Sequence, residues 1–266
     1  MLGTSPFWQN SVKAVVEMKV SVITVAYNAG RTIHDTLYSV KEQTYHNIEH
    51  IIVDGASTDN TLEVITTHGQ HVVHLISEPD HGLYDAMNKG IAKATGDIVC
   101  VLNADDVYDH ENVIFNVVEL MRSREMDVLI GDVVFVHPSN PLRSVRRYKS
   151  QNFNPSRIAK GWMPAHPAMF LRRTVYEKFG FYKINYKIAA DFEYVARIFR
   201  DETLRYFYVP DVFVRMRTGG VSSGGVKNTI LLNFEVLRAC RENNIDTNFL
   251  KILSKYPKKI MEFVRR

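Results

Sequence analysis

Two adjacent carboxylates, Asp105 and Asp106, close the apolar run Val99-Cys100-Val101-Leu102 and its short extension Asn103-Ala104. Such a run reads as a buried strand, and paired carboxylates at a strand's carboxyl end suit a divalent cation. Mg²⁺ and Mn²⁺ prefer oxygen ligands, and Mg²⁺ commonly takes only one or two carboxylates from a protein, leaving the other positions to water and a substrate's phosphates. The pair therefore points to a phosphorylated substrate. The competing structural explanation is that one Asp caps the next helix. Asp109, however, stands before the periodic run Val113, Ile114, Val117, Val118, Met121. It is expected to supply that cap, which leaves Asp105 and Asp106 with no obvious structural task.

Further polar clusters follow other apolar runs. Asp54 ends Ile51-Ile52-Val53 and precedes Gly55, which permits a tight turn. A carboxylate there can accept the ring N–H of a uracil, with Ser57 and Thr58 adding polar contacts; capping of the next turn explains Asp54 equally well. The segment Glu78 to Gly90 is denser in polar and special-backbone residues than a connection requires. Asp85 and Asn88 are three apart and Lys89 is four from Asp85, so on a helix they form a polar face that can turn toward a ribose or phosphate. A capped helix with a surface ion pair is the simpler account. Arg217 and the stretch Gly219 to Gly225 can close over a diphosphate and exclude water, or merely connect two elements. Gly161 to His166 can wall an acceptor site, with Trp162 stacking on a sugar and His166 binding a hydroxyl or phosphate, although ordinary packing is the default for both side chains.

These groups can meet only at one edge of a sheet, and the pattern supplies that edge. Val20 to Ala26 reads as strand, Thr32 to Gln43 as helix, Ile48 to Asp54 as strand and Thr58 to Thr67 as helix. Val72 to Ser77, Tyr84 to Ala94 and Asp97 to Asn103 repeat the order strand, helix, strand. The alternation predicts an α/β fold whose mostly parallel sheet is covered by helices on both faces. In such sheets ligands gather beyond the carboxyl ends of the strands, where Ala26 to Gly30, Asp54 to Asp59, Glu78 to Asp80 and Asn103 to Asp106 fall. After Met126 the regularity loosens into Val128 to Val136, a basic stretch Arg143 to Lys149, a strand Ala168 to Leu171, helices near Thr174 to Phe179 and Asp191 to Arg200, and two short strands, Tyr206 to Val209 and Val212 to Met216. A less regular half commonly carries the part of a site that distinguishes acceptors.

With 266 residues, 45% hydrophobic and 23% charged, the chain can form one large globular domain or a domain with an appendage. No run approaches the roughly 18 apolar residues of a membrane-spanning helix, and the N-terminus lacks the charged-then-apolar order of a secretory signal, so a cytoplasmic-side protein is expected. Cys100 and Cys240 sit in apolar and helical patterns, which disfavours a disulfide framework or a zinc cluster. The net charge of +4 is local: Phe249 to Arg266 carries Lys251, Lys255, Lys258, Lys259, Arg265 and Arg266 against Glu262 alone. A broadly basic, nucleic-acid-binding body is therefore not expected. The tail's basic and apolar residues suit the anionic inner face of a cytoplasmic membrane, or a helix packed on the domain with its lysines in water.

Together, Thr24-Val25-Ala26-Tyr27-Asn28, Asp54-Gly55-Ala56-Ser57-Thr58-Asp59 and Asn103-Ala104-Asp105-Asp106 resemble the opening segment, nucleoside site and metal motif of the family 2 glycosyltransferases. Glu78 to Gly90 is similar to bacterial members that build surface polysaccharides, the colanic acid type among them. The similarity runs from Lys19 to Ser223. It implies an inverting enzyme of GT-A fold, a Rossmann-like central sheet flanked by helices, with a C-terminal helical appendage. It places the nucleotide-sugar donor against Thr24, Ala26, Tyr27, Asn28, Asp54, Ser57, Asp85, Asn88, Lys89, Asn103, Ala104, Asp105 and Arg217. It further implies Mn²⁺ or Mg²⁺, with Asp106 as principal ligand and Asp105 near the ribose or metal-bound waters.

The base implied by the resemblance is Asp191, in Ile188-Ala189-Ala190-Asp191-Phe192-Glu193, which matches the family's catalytic carboxylate before a helix. Ala190 stands where many relatives have an acidic residue. A helix cap otherwise accounts for Asp191 and a solvated face for Glu193. The expected organisation is an extension (1–18), a catalytic domain (19–225) divided into a nucleotide-sugar-binding half (19–126) and an acceptor-binding half (127–225), and a basic helical segment (226–266). The expected activity is transfer of a hexose or N-acetylhexosamine from a UDP-sugar to a saccharide acceptor on a lipid diphosphate carrier. Two alternatives stand beside it. One is a sugar nucleotidyltransferase, against which the missing Gly-rich, basic phosphate loop near the first strand counts; the other is a noncatalytic nucleotide-sugar-binding scaffold.

Overall fold

The alternation of apolar runs resolves into a nine-stranded sheet in a computed structural model that describes residues 17–138, 140–219 and 225–255. Strands β1 (Val20–Ala26), β2 (Ile48–Asp54), β3 (Val72–Ser77) and β4 (Ile98–Val101) pair in parallel in the spatial order β3-β2-β1-β4. Every residue of β1 and β4 is buried, as a parallel sheet covered on both faces requires. Helices α1 (Ile33–Lys41), α2 (Thr61–His68) and α3 (Leu83–Lys93) make the crossovers. Gly90 lets α3 lie close on the sheet, since a Cβ there would come within 2.4 Å of Ile23 Cγ2. From β1 the chain winds outward through β2 and β3, then returns to add β4 on the other side. The crevice at this reversal, beyond the carboxyl ends of β1 and β4, is where such folds bind ligands.

The second half extends the same sheet with mostly antiparallel neighbours. It comprises β5 (Asp106–Tyr108), α4 (Val113–Ser123), β6 (Val128–His137), β7 (Asn140–Tyr148), β8 (Met169–Arg172), α5 (Arg173–Phe179) and β9 (Tyr206–Arg217). Strand β8 lies antiparallel between β4 and β6, β9 runs parallel to β6 and antiparallel to β5, and β7 hangs on β6. The two short strands expected near residue 210 are one strand. Pro210, which has no N–H for the ladder, is absorbed by a register shift opposite Ile130 and Asp132. Gly131 sits at that shift because a Cβ would come within 2.2 Å of the Phe213 ring.

Two sequence expectations need correction here. Asp109 does not cap α4: the residue at the cap is Asn112, which makes no side-chain cap bond. Asp109 instead lies 2.7 Å from Arg215 Nε, because the antiparallel pairing of β5 with β9 brings that cation alongside. Glu193 is not on a solvated face. Helix α6 (Ala190–Ile198) is covered by α7 (Gly225–Glu242), and Glu193 is fully buried between Lys183 at 2.9 Å and Arg197 at 2.8 Å. The described start of the basic tail, α8 (Phe249–Leu253), packs on α7, burying Ile252 and Lys255. Lys251 pairs with Asp246 at 2.7 Å. The rest of the tail, 256–266, lies outside the described residues, as does the expected extension up to residue 16.

Helix α7 belongs to the main core. Val236, Leu237, Ala239 and Cys240 join the same buried cluster as Val101 and Phe192. Both cysteines are buried thiols. Among the described residues no helix is long and apolar enough to cross a membrane.

Candidate active site

The ends of β1 and β2 are stitched together by side-chain bonds. Asn28 adopts a left-handed backbone (φ 49°), a conformation its short polar side chain tolerates. Its Oδ1 accepts from the Thr58 amide at 2.9 Å, while its own amide donates to Ser57 Oγ at 2.8 Å. Asp54 is buried and accepts from the Ser57 amide (3.0 Å), Ser57 Oγ (2.5 Å) and Ser77 Oγ (2.8 Å). Those three bonds take most of the roughly four acceptor positions of a carboxylate. Asp54 therefore organises the turn, and about one acceptor position remains for a ligand. Tyr27 is 66% exposed. Its ring flanks Gly55, over which the Asp80 carboxylate lies: a Cβ on Gly55 would be 2.5 Å from Asp80 Oδ2 and 3.4 Å from the Tyr27 ring. An exposed aromatic face beside a carboxylate offers a stacking surface with an adjacent hydrogen-bond acceptor.

Beyond β4 the backbone continues along β1, with Leu102 N–H donating to Ile23 O (2.9 Å) and Ala104 N–H to Val25 O (3.2 Å). Asp105 follows partly exposed, and Asp106, 1% exposed, opens β5. Asn103 Nδ2 donates to Asp106 Oδ2 at 3.0 Å, whereas Asn103 Oδ1 is buried and accepts nothing. Burial raises the pKa of both carboxyls above the usual carboxylate range, and for Asp106 the neighbouring Asp105 charge adds to the rise. Two crowded carboxylates and an unsatisfied amide oxygen make an all-oxygen donor set that fits Mg²⁺ or Mn²⁺. No group of three His, Cys, Asp or Glu side chains arranged to hold a metal occurs among the described residues; a cation here would complete its shell with phosphate and water. Arg217, expected beside a diphosphate, ends β9 with its guanidinium donating to the Asp105 carbonyl at 2.8 Å and pairing with Asp35. Residues 220–224 of the glycine-rich stretch lie outside the described residues.

A second cluster forms around Asp191, in the first turn of α6. Its Oδ1 accepts from the Phe192 amide at 2.8 Å and from Tyr84 Oη at 3.3 Å. Tyr84 stands at the start of α3, just after the loop leaving β3, so Asp191 is brought to the same sheet edge as Asp54. Burial pushes the Asp191 carboxyl above its ordinary range, a rise restrained chiefly by His166. Burial likewise pushes the His166 imidazole below its ordinary pKa, with the Asp191 charge opposing that fall. Its Nε2 lies 2.8 Å from Tyr182 Oη. A half-buried carboxylate with one oxygen engaged and the other uncommitted is suited to accept a proton.

Several expected donor contacts are committed elsewhere. Thr24 is fully buried, with Oγ1 2.8 Å from His50 Nε2. Asn88 clamps the Tyr182 backbone, donating to its carbonyl (2.8 Å) and accepting from its amide (2.9 Å). Lys89 pairs with Glu78 at 2.8 Å and donates to Pro79 O at 2.9 Å, and Asp85 accepts the His81 amide at 3.0 Å. That segment is thus a helix with a surface ion pair, and its cap position, Gly82, makes no side-chain bond. Ala26 and Ala104 are buried and contribute backbone only. Trp162 is half-buried beside Arg157. Tyr84, Tyr182 and Asp35 were missed; each owes its place to a partner distant in sequence, and no periodicity marks it.

The description "Glycosyl transferase family 2" belongs to the family model that matches residues 21–180. An uncharacterized glycosyltransferase of Mycobacterium tuberculosis is 31% identical over 188 residues, covering 67% of this chain and 68% of that protein. Staphylococcus aureus TarS, solved with UDP-GlcNAc, superposes with a TM-score of 0.65 at 18% identity, over 88% of this chain and 69% of that one. Mannosyltransferase PcManGT of Pyrobaculum calidifontis, solved with GDP-Man and Mn²⁺, gives 0.61 at 21% identity, over 84% and 65%.

Proposed function

Because this chain belongs to glycosyl transferase family 2 and is a glycosyltransferase of GT-A fold, we propose that it transfers a hexose or N-acetylhexosamine from a UDP-sugar to a saccharide acceptor with inversion. Membership of this family displaces both alternatives weighed from the sequence, the nucleotidyltransferase and the noncatalytic scaffold. The observation that carries the proposal is Asp191: both of its hydrogen bonds converge on Oδ1, so Oδ2 is the atom that takes a proton. In the reaction Asp191 removes the proton of the acceptor hydroxyl as that oxygen bonds to the anomeric carbon. The bond from that carbon to the diphosphate oxygen breaks on the opposite face. Asp106, Asp105 and Asn103 Oδ1 would hold the Mn²⁺ or Mg²⁺, which supplies Lewis-acid neutralisation of the departing diphosphate. Tyr27 would stack on the base, with Asp80 as well as Asp54 near its polar edge.

The donor assignment is tested by titrating UDP- and GDP-linked sugars into the protein by calorimetry, with and without Mn²⁺. A UDP-sugar is expected to bind, more tightly with Mn²⁺. Failure of every nucleotide sugar to bind would remove the donor assignment.

The acceptor reading places His166 and Tyr182 beside the incoming hydroxyl and the growing saccharide on a lipid diphosphate, with the enzyme peripheral on the inner face of the cytoplasmic membrane. Supporting this, Ile230, Phe234, Leu250 and Leu253 are exposed on α7 and α8, and Phe234 meets Phe249 across the two helices. Apolar residues beside a basic tail suit an anionic bilayer. Co-flotation with anionic vesicles, lost in Phe234→Ser/Leu250→Ser, is the expected result; wild-type protein staying at the bottom of the gradient would dispose of the membrane contact.

A further inference from the structure

The three residues that deliver Asp191 are gripped by a carboxylate from a distant helix. The amides of Lys187, Ile188 and Ala189 all donate to Glu235 of α7, at 2.7, 2.9 and 2.8 Å. On the carbonyl side, Tyr84 Oη donates to Ile188 O at 2.5 Å and reaches Asp191 Oδ1 at 3.3 Å. Glu235 is only 7% exposed. Burying a carboxylate is costly unless it is fully hydrogen-bonded, and an apolar side chain would pack α7 on α6 without that cost. What the carboxylate adds is directional: two oxygens accepting three consecutive amides fix the backbone immediately before the base. Its negative charge also lies at the amino end of α6, where the helix dipole favours it.

We propose that Glu235 is a positioning residue for Asp191, acting with Tyr84, and that the C-terminal helix α7 is thereby part of the active site. The inference rests on Asp191 being the base. Reacting groups must be held within about 0.5 Å of productive geometry, and the last fixed point before Asp191 is the triplet that Glu235 holds. In Glu235→Gln the side chain keeps its shape but one oxygen becomes an amide donor, which faces the backbone N–H groups.

The test compares Glu235→Gln, Tyr84→Phe and Asp191→Asn, with Val117→Ala as a destabilised control in the separate core cluster around α4. Glu235→Gln is expected to lower kcat about 10–100-fold with donor KM unchanged, and to speed hydrogen exchange at the amides of 187–189. Added to Asp191→Asn, it should cause no further loss. Val117→Ala should lower Tm and leave kcat alone. Wild-type kcat in Glu235→Gln, or a loss that multiplies fully with that of Asp191→Asn, would overturn the inference while leaving the base in place. Wild-type turnover in Asp191→Asn would overturn the base assignment itself and the inference with it. Should Glu235→Gln fail to fold, Tyr84→Phe, which deletes a single hydroxyl from the same clamp, carries the same test.

Discussion

Asp191→Asn is expected to lower kcat about 10²–10⁴-fold while nucleotide-sugar binding, measured by calorimetry, stays at the wild-type level. The substitution keeps the volume of the side chain and an oxygen able to accept from Phe192 N–H and Tyr84 Oη, so the start of α6 should be undisturbed. What it removes is the capacity to take the acceptor's proton. The pH dependence of the wild-type enzyme follows from the same group. A base works deprotonated, and burial holds the Asp191 carboxyl above its ordinary range. Activity should therefore rise with pH through a midpoint above the ordinary aspartate value of about 4 and fall away on the acid side. Unchanged turnover in the variant, measured as sugar transfer under saturating donor, would show that another group takes the proton.

The sheet edge that gathers these side chains was readable because its signals are local. Apolar runs end in Asn28, Asp54 and Asp105, the helical repeats between them have the right lengths, and parallel pairing then aligns the ends. What could not be read was the partner of each polar side chain. Asn88 lies 94 residues from the Tyr182 backbone it clamps, so its position on a polar helix face suggested a ligand where the fold supplies a protein bond. Glu193 looked solvated because α7, which covers it, follows only after β9. Glu235 sits in a helix whose pattern shows only an apolar face. Its three backbone amides carry no sequence signal, since any residue has an N–H.

Asp106→Asn sets stability and activity moving in opposite directions, which separates a ligand position from a structural one. In metal-free protein the buried Asp106 carboxylate and its partly exposed neighbour Asp105 repel each other, and burial with that repulsion drives the Asp106 pKa upward. An ionisable acid with a raised folded-state pKa favours the folded protein when protonated, so at neutral pH its charge is a burden. Asn at the same position keeps an acceptor for Asn103 Nδ2 and removes the repulsion, so Tm in EDTA should match or exceed that of the wild type. The cost appears in function. Loss of a ligand for the cation that neutralises the leaving diphosphate removes several kcal/mol of transition-state stabilisation; about 3 kcal/mol corresponds to a roughly 10²-fold fall in kcat. Added Mn²⁺ should raise the Tm of the wild type, by mass action on the folded state, and leave that of the variant unmoved. A variant that is less stable in EDTA, still responds to Mn²⁺ and turns over normally would mean that Asp106 holds β5 in place and that the metal, if bound, sits elsewhere. Asp105→Asn completes the comparison. Asp105 is the more exposed of the pair, so relief of repulsion should be smaller there, and a larger loss of activity than in Asp106→Asn would move the principal ligand to the outer carboxylate.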